Sequence, residues 1–342
     1  MTGEHDHMER FRVFRIHLEA DAVRAGYEWS SLEDLSAGEV VVRVAWSSIN
    51  YKDALAATGA GKILRRSPLI GGVDLSGIVV SSSDARYREG DAVLVTGCGL
   101  SETHDGGYAE YARLSGDWVV PMPPGLDLRT AMAVGTAGFT AALAIQRMEH
   151  NGLKPGGAPV VVTGASGGVG SIAIDMLSGR GYEVVAVSGK ESADGFLTAL
   201  GAARILRRQD IDLGRRPLER ALWAGAIDNV GGEILTWLTR SVDSWGSIAS
   251  IGLAGGAELH TTVMPFILRG INLLGINSSA TPRDTRLAVW QRISTDLKPR
   301  HFDELISREI AFDALPAAFG DYLRGTVTGR TIVRIAGAPH GE

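Results

Sequence analysis

Cysteine is almost missing from this chain. Cys98 is the only one in 342 residues, so no disulfide can form within the chain, which suits a reducing compartment. Neither sign of charge dominates: a formal net charge of −5 leaves no broad basic field and argues against nucleic acid as the main partner. Long apolar runs are lacking too. The longest, residues 131–145, is interrupted by Gly135, Thr136, Gly138 and Thr140 and falls short of the roughly 20 residues a bilayer requires. Residues 1–8 are polar with no apolar segment behind them, so no secretory leader is expected. Repeats and low-complexity tracts are absent. The remaining composition, 45% hydrophobic and 21% charged, is ordinary for a soluble globular protein of about two domains. A soluble cytoplasmic protein with no membrane or nucleic-acid partner is expected.

The most informative segment present is Val160-Val161-Val162-Thr163-Gly164-Ala165-Ser166-Gly167-Gly168-Val169-Gly170-Ser171. A β-branched run stops in a glycine cluster and a helical pattern follows over residues 172–178. A parallel strand feeding a helix through a tight turn requires this layout. Glycines at steps of three let the backbone approach a pyrophosphate at the helix N-terminus. Ser166, Gly167, Gly168 and Val169 are therefore candidate cofactor contacts.

Upstream, residues 11–120 read as short strands, with β-branched runs at 40–44, 76–80 and 92–95 separated by Gly, Ser and Asp turns. A helix is expected over 128–146. Downstream of the fingerprint, strands at 183–188, 204–206, 226–229, 247–251 and 272–276 alternate with helices at 192–200, 218–223 and 233–242. That alternation implies βαβ units and a doubly wound parallel sheet. The tail from residue 281 ends in a strand at 331–335 and is expected to return to the first, β-rich domain.

A dinucleotide fold that takes NAD usually places a carboxylate on the ribose 2′-hydroxyl, about 20 residues beyond the glycines. Here the second strand ends in Ser188-Gly189-Lys190. A hydroxyl and a cation stand where a 2′-phosphate would arrive, which favours NADPH. Arg207 and Arg208, ending the third strand, either add positive potential or form a solvated face.

Several further motifs occur in order: Ser47-Ser48-Ile49-Asn50-Tyr51-Lys52-Asp53-Ala54-Leu55, Gly135-Thr136-Ala137-Gly138-Phe139-Thr140, Gly252-Leu253-Ala254-Gly255-Gly256 and Pro265-Phe266-Ile267-Leu268-Arg269-Gly270. With the fingerprint, they make the chain resemble the medium-chain dehydrogenase/reductase superfamily over nearly its full length. Within it, the chain is similar to the quinone-oxidoreductase-like branch that includes NADPH-dependent acryloyl-CoA reductases. The resemblance implies an α/β architecture: a GroES-like β-rich catalytic domain plus a doubly wound Rossmann domain, with the cofactor cleft between them. The expected boundaries are 1–127, 128–279 and a return segment 280–342. The family's usual homodimer pairs the sixth strands, and residues 272–276 have the apolar character this needs.

Zinc-dependent members hold their metal through Cys, His and a third ligand. Aligned by motif, those positions are Asn50, Val73 and Thr136, which cannot substitute for thiolate and imidazole. Cys98 and His104 together fall short of a zinc site. A zinc-free member lacks the Lewis acid that eases alcohol oxidation. Hydride delivery to an activated C=C bond is then the easier reaction, because hydrogen-bond donors can stabilise the enolate oxygen.

The resemblance places Tyr51 and Asn50 beside the nicotinamide. Tyr51 either contacts cofactor, orients the substrate carbonyl or packs structurally; Asn50 either donates to the enolate, holds the ring or is a structural amide. Lys52 and Asp53 read as a polar pair at the domain boundary. Thr136 and Thr140 offer hydroxyls to phosphate or carboxamide, or pack on their own helical turn. Leu253 and Ala254 after the fifth strand, and Asn277, Ser278 and Ser279 after the sixth, fall at the carboxyl edge where cofactors bind. Lys62, Arg65 and Arg66 form a cationic loop that meets coenzyme A phosphates or is simply solvated. Arg330 is a family-like cation of unassigned role. Cys98 stands where the family commonly has Trp, Asp105 where it has a second Trp, and Gly71 where it has Pro. All three departures fall in the expected substrate domain.

Overall fold

The computed structural model describes residues 10–20 and 22–335. The chain forms two compact units. The first takes in the chain up to Thr136, Arg308–Thr326 and the chain from Thr331; the second is Ala137–Ser307 with Val327–Arg330.

In chain order, the first unit carries β1 (Phe11–Leu18), β2 (Val23–Ser30), β3 (Val40–Ile49), α1 (Tyr51–Thr58), β4 (Leu69–Ile70), β5 (Asp74–Ser82), β6 (Ala92–Thr96), β7 (Tyr111–Leu114) and β8 (Val120–Pro121), then the start of α2 (Leu128–His150). The rest of α2 belongs to the second unit. There follow β9 (Val160–Val162), α3 (Gly168–Gly179), β10 (Val184–Ser188), α4 (Asp194–Ala199), β11 (Arg204–Arg207), β12 (Trp223–Asp228), α5 (Gly232–Ser241), β13 (Val242–Ser250), α6 (Met264–Arg269), β14 (Asn272–Gly275), α7 (Arg283–Ile293) and α8 (Phe302–Leu305). The chain closes with β15 (Ile306–Ala311), α9 (Leu315–Leu323) and β16 (Arg330–Arg334).

β3 is the spine of the first unit. It pairs antiparallel with β5, β7 and β16, which explains why nine of its ten residues are buried and why its sequence is almost continuously apolar rather than alternating. Val42, Val44 and Ile49 pack into one core with Phe14, Tyr108 and Phe319. Burying each such side chain contributes about 1.5–3 kcal/mol. α1 starts where β3 ends because Asn50 and Asp53 form a reciprocal capping box, and it stops at Gly59, which takes φ +75°.

The second unit holds a six-stranded parallel sheet in the order β11-β10-β9-β12-β13-β14. This is the doubly wound arrangement, with the order reversing beside β9. β9 and β10 are buried throughout, as the valine runs anticipate.

Three expectations need correction. Residues 218–223 are not helical: Trp223 opens β12 and packs against Trp237 at 5.9 Å, so its apolar signal belongs to the sheet. α2 has 23 residues and is long and apolar enough to cross a membrane by length and composition, although 78% of its most apolar window is buried inside the protein. It is also broken at Gly135 (φ 52°, ψ −159°), a conformation suited only to glycine. Finally, the units divide at Thr136 rather than residue 127, and the return begins at Arg308 rather than residue 280. Trp290 of α7 stacks on Phe139 of α2 at 6.1 Å, which keeps α7 in the second unit.

Candidate active site

In the first unit the site grows from the end of β3. Ser48 and Asn50 lie two residues apart on extended chain and so face the same side. Both donate to Asp74 Oδ2, from Ser48 Oγ at 2.6 Å and Asn50 Nδ2 at 2.8 Å. Thr136, just past the α2 break, donates to the same carboxylate from its backbone N–H at 3.0 Å and from Oγ1 to Oδ1 at 2.5 Å. Asp74 is fully buried. A sharp backbone break at Gly135 is thus fixed by a carboxylate that also holds the catalytic candidate Asn50.

Asp53 stands alongside. It accepts from the Asn50 N–H at 2.8 Å, from Asn50 Nδ2 at 3.3 Å and from the Val73 N–H at 2.9 Å. Burial first, and then the nearby charge of Asp74, push its carboxyl up to about 7. The pairing of Lys52 with Asp53 is therefore corrected: Lys52 Nζ binds Glu102 at 2.6 Å, and Asp53 turns inward. Tyr51, the first residue of α1, is 49% exposed, so its phenol is available to a ligand. Thr136, offered above as a ligand hydroxyl, is instead engaged with Asp74.

A pH dependence follows. Asp53 keeps its proton to a higher pH when folded than when unfolded. Between about pH 4 and about 7 the native state therefore binds more protons, and this group's contribution to stability falls as pH rises. Urea midpoints of wild type and Asp53→Asn across that range are expected to show a shallower pH slope in the variant. Parallel slopes would contradict the assignment.

In the second unit the fingerprint forms the expected turn. Gly164 takes φ +58°, and α3 opens on Gly167, which has no side chain to cap the first turn. The first-turn N–H groups at that end, with no side-chain cap, suit an anion. Arg330, of unassigned role above, is 2% exposed, and its Nη1 lies 3.0 Å from where a Cβ on Gly168 would be. Gly329 donates to the Ser166 carbonyl at 2.9 Å, bringing this cation to the turn. A guanidinium against this end of a helix has the charge and geometry that suit a phosphate.

Ser188 ends β10, and Gly189 and Lys190 follow it, but Lys190 does not stand open for a 2′-phosphate. Its Nζ donates to the Val327 carbonyl at 2.7 Å, and burial lowers its ammonium from the ordinary lysine range. Ser188 Oγ accepts from the Lys190 N–H at 3.1 Å. Arg207 is paired with Asp194. Thr140 is buried on α2, while Leu253 is 69% exposed at the carboxyl edge after β13. Asn277 Oδ1 accepts from the Ala280 N–H at 3.0 Å, so its side chain closes its own loop. Lys62, Arg65 and Arg66 are all exposed on a loop of the first unit, where Arg66 reaches the Thr103 carbonyl at 3.4 Å. His104 contacts the carbonyls of Asp105 and Ala37, both at 3.0 Å, and Asp105 accepts from Ser36 and Ile70.

Comparison with known proteins agrees with this geometry. Residues 36–124 match the alcohol dehydrogenase GroES-like domain and residues 168–295 match the zinc-binding dehydrogenase model. "Putative quinone oxidoreductase YhfP" of Bacillus subtilis is 47% identical over 95% of this chain and 99% of its own. The chain belongs to the medium-chain dehydrogenase/reductase family. Within that family, acrylyl-CoA reductase AcuI of Ruegeria pomeroyi is 46% identical over 93% of this chain and 96% of its own. The yhdH oxidoreductase of Salmonella enterica, solved in complex with NADP, superposes with a TM-score of 0.92 at 46% identity, covering 95% of this chain and 100% of that one. YhfP, solved with NAD bound, also gives 0.92 at 46% identity, covering 95% and 99%.

As a medium-chain dehydrogenase/reductase this chain is an oxidoreductase, but its residues do not fit the family's catalytic zinc. Val73 offers no donor atom, and the Asn50 amide and Thr136 hydroxyl both give their hydrogens to Asp74. Among the described residues no cluster of three or more His, Cys, Asp or Glu could hold a metal. The fingerprint, in contrast, does fit a dinucleotide. Asp74, which the sequence reading does not name, and Arg330, which it names without a role, carry much of the site. Asp74 was signalled only by a carboxylate directly after Val73, and Arg330 only by the Gly329-Arg330 pair entering the last strand.

Proposed function

We propose that this chain catalyses NADPH-dependent reduction of the C=C bond of an α,β-unsaturated acyl thioester, with acryloyl-CoA to propanoyl-CoA as the leading pair. The observation that carries this is that Asn50 and Thr136, two of the positions aligned with zinc ligands of other members, are joined through Asp74. Asp74 fixes the side chain of Asn50 and leaves electrophilic assistance to hydrogen-bond donors. NADPH, when bound, supplies a hydride to the substrate β-carbon. The developing charge then lies on the thioester oxygen, where Tyr51 acts as donor, and the α-carbon takes a proton from water or from Tyr51. The amide hydrogens of Asn50 go to Asp74 and Asp53, so Asn50 holds the shape of the site. The acrylyl-CoA reductase name of the Ruegeria relative and the NADP in the Salmonella structure support the substrate and cofactor. For NADPH over NADH, the chain adds a second-strand tip without a carboxylate.

The test is product analysis with NADPH deuterated at C4. Propanoyl-CoA carrying deuterium at its β-carbon is expected. Absence of that product alongside rapid NADPH oxidation by a benzoquinone would move the assignment to a quinone or free alkenal reductase, the alternative favoured by the YhfP name. Tight NADPH binding with no activated alkene turned over would leave a non-catalytic binding protein.

Coenzyme A enters the proposal through Lys62, Arg65 and Arg66. Reversing the three charges is expected to raise KM for acryloyl-CoA about tenfold while leaving quinone turnover alone, since exposed cations act on a polyphosphate chiefly through screened attraction. An unchanged KM would make the loop a solvated surface.

A homodimer is also proposed, operating in the cytoplasm. β14 is the last strand in its sheet order, and Val263, Ile267, Leu268, Leu273 and Trp245 around it are exposed. Light scattering is expected to give twice the chain mass for wild type and the single mass for Ile267→Asp with Leu268→Asp.

A further inference from the structure

Arg286 on α7 is 1% exposed, far more buried than a surface helix ordinarily allows an arginine. Its Nη2 donates to the carbonyls of Ser278 and Ser279, each at 3.1 Å. Its guanidinium carbon lies 4.8 Å from the centroid of the Phe139 ring, and Trp290 stacks on that ring with an interplanar angle of 25°. The loop gripped in this way follows β14, at the carboxyl edge of the sheet. It is closed further by Thr281 Oγ1, which donates to the Asn277 carbonyl at 2.9 Å, while Arg147 of α2 donates to the carbonyl of Gly275.

A buried cation that holds two successive carbonyls does more than fill space. In a trans peptide the N–H points opposite to the C=O, so drawing the Ser278 carbonyl to Arg286 turns the Ser279 N–H away from α7. Charge-assisted bonds are stronger than neutral ones, and the aromatic platform limits the guanidinium's freedom. Resting on the NADPH assignment above, we infer that Arg286 is a positioning residue for the nicotinamide half of the cofactor. It fixes loop 277–279 so that backbone donors are presented to the carboxamide. The Asn277 side-chain oxygen accepts from the Ala280 N–H and so serves the loop's own turn.

The experiment is calorimetric titration of wild type, Arg286→Met and Arg286→Lys with NADPH and with 2′,5′-ADP, which carries the adenosine half and no nicotinamide. Arg286→Met is expected to weaken NADPH about tenfold, Arg286→Lys less, and 2′,5′-ADP by under about twofold in both. Equal weakening of the two ligands would make Arg286 a general support of the second unit and overturn the inference. Unchanged affinity for both would overturn it as well. If Arg286→Met does not fold, Arg286→Lys and Phe139→Leu carry the same comparison. Wild type that binds neither ligand would remove the cofactor assignment, and this inference with it.

Discussion

Gly170→Ala is expected to weaken NADPH binding by about a hundredfold or more, equivalent to roughly 2.7 kcal/mol. A Cβ at Gly170 would lie 2.5 Å from the Gly164 carbonyl oxygen and 2.8 Å from the Ala165 Cα. Both are backbone atoms of the turn that must cradle the pyrophosphate, so relief requires the turn itself to move. Overpacking of this kind costs about 1–3 kcal/mol in stability. The other fingerprint glycines set a graded series. At Gly168 the nearest atom is Arg330 Nη1 at 3.0 Å, the end of a flexible side chain, and at Gly167 only the Gly164 oxygen at 3.3 Å is near. Stability, followed by urea midpoints, should fall most for Gly170→Ala, less for Gly168→Ala and least for Gly167→Ala. Gly170→Ala with wild-type NADPH affinity, followed by the quenching of NADPH fluorescence, would mean that the turn, as described, is not what holds the phosphates.

Asp74→Ala is expected to cost about 3–5 kcal/mol of stability and to lower turnover about a hundredfold. Removing the carboxylate takes away the acceptor of the Ser48 and Thr136 hydroxyls, of the Thr136 N–H and of the shorter of the Asn50 amide's bonds to Asp74 and Asp53. A buried donor without an acceptor costs about 1–3 kcal/mol, and neighbours in one network do not add simply. Asp74→Asn is milder, because it keeps an acceptor. It also removes one of the two causes that raise Asp53, so the Asp53 carboxyl should move back toward its ordinary range. NADPH affinity should change less than about tenfold in either variant, since the fingerprint lies in the other unit. Asp74→Ala with wild-type stability and turnover would show that the network is incidental to both.

The parts of the fold legible in sequence are those written in local pattern. The runs at 160–162 and 184–188 are buried on both faces of a parallel sheet, so their apolar character was unambiguous, and the glycines between β9 and α3 announced the turn. Residues 218–223 misled because Leu218, Leu222 and Trp223 present helical spacing in a segment whose tryptophan is claimed by the sheet. The break in α2 was invisible, since glycine mid-helix is tolerated and nothing local gives the backbone angle at Gly135. The site divides in the same way. Asn50 and Tyr51 were found because they sit in a contiguous motif. Asp74 joins Ser48, Asn50 and Thr136 across separations of 24 to 62 residues, and Arg330 meets Gly168 from the far end of the chain. Lys190 has the charge and position of a phosphate partner, but its carbonyl partner Val327 lies 137 residues away and no local signal records it.

The central claim is reduction of a CoA-linked activated alkene. The most direct measurement is NADPH absorbance loss with purified protein and acryloyl-CoA, with crotonoyl-CoA, free acrylate and a benzoquinone run in parallel. Rapid oxidation with acryloyl-CoA and little with free acrylate or the quinone is the expected result. Rapid oxidation with the quinone and none with either acyl-CoA would contradict it.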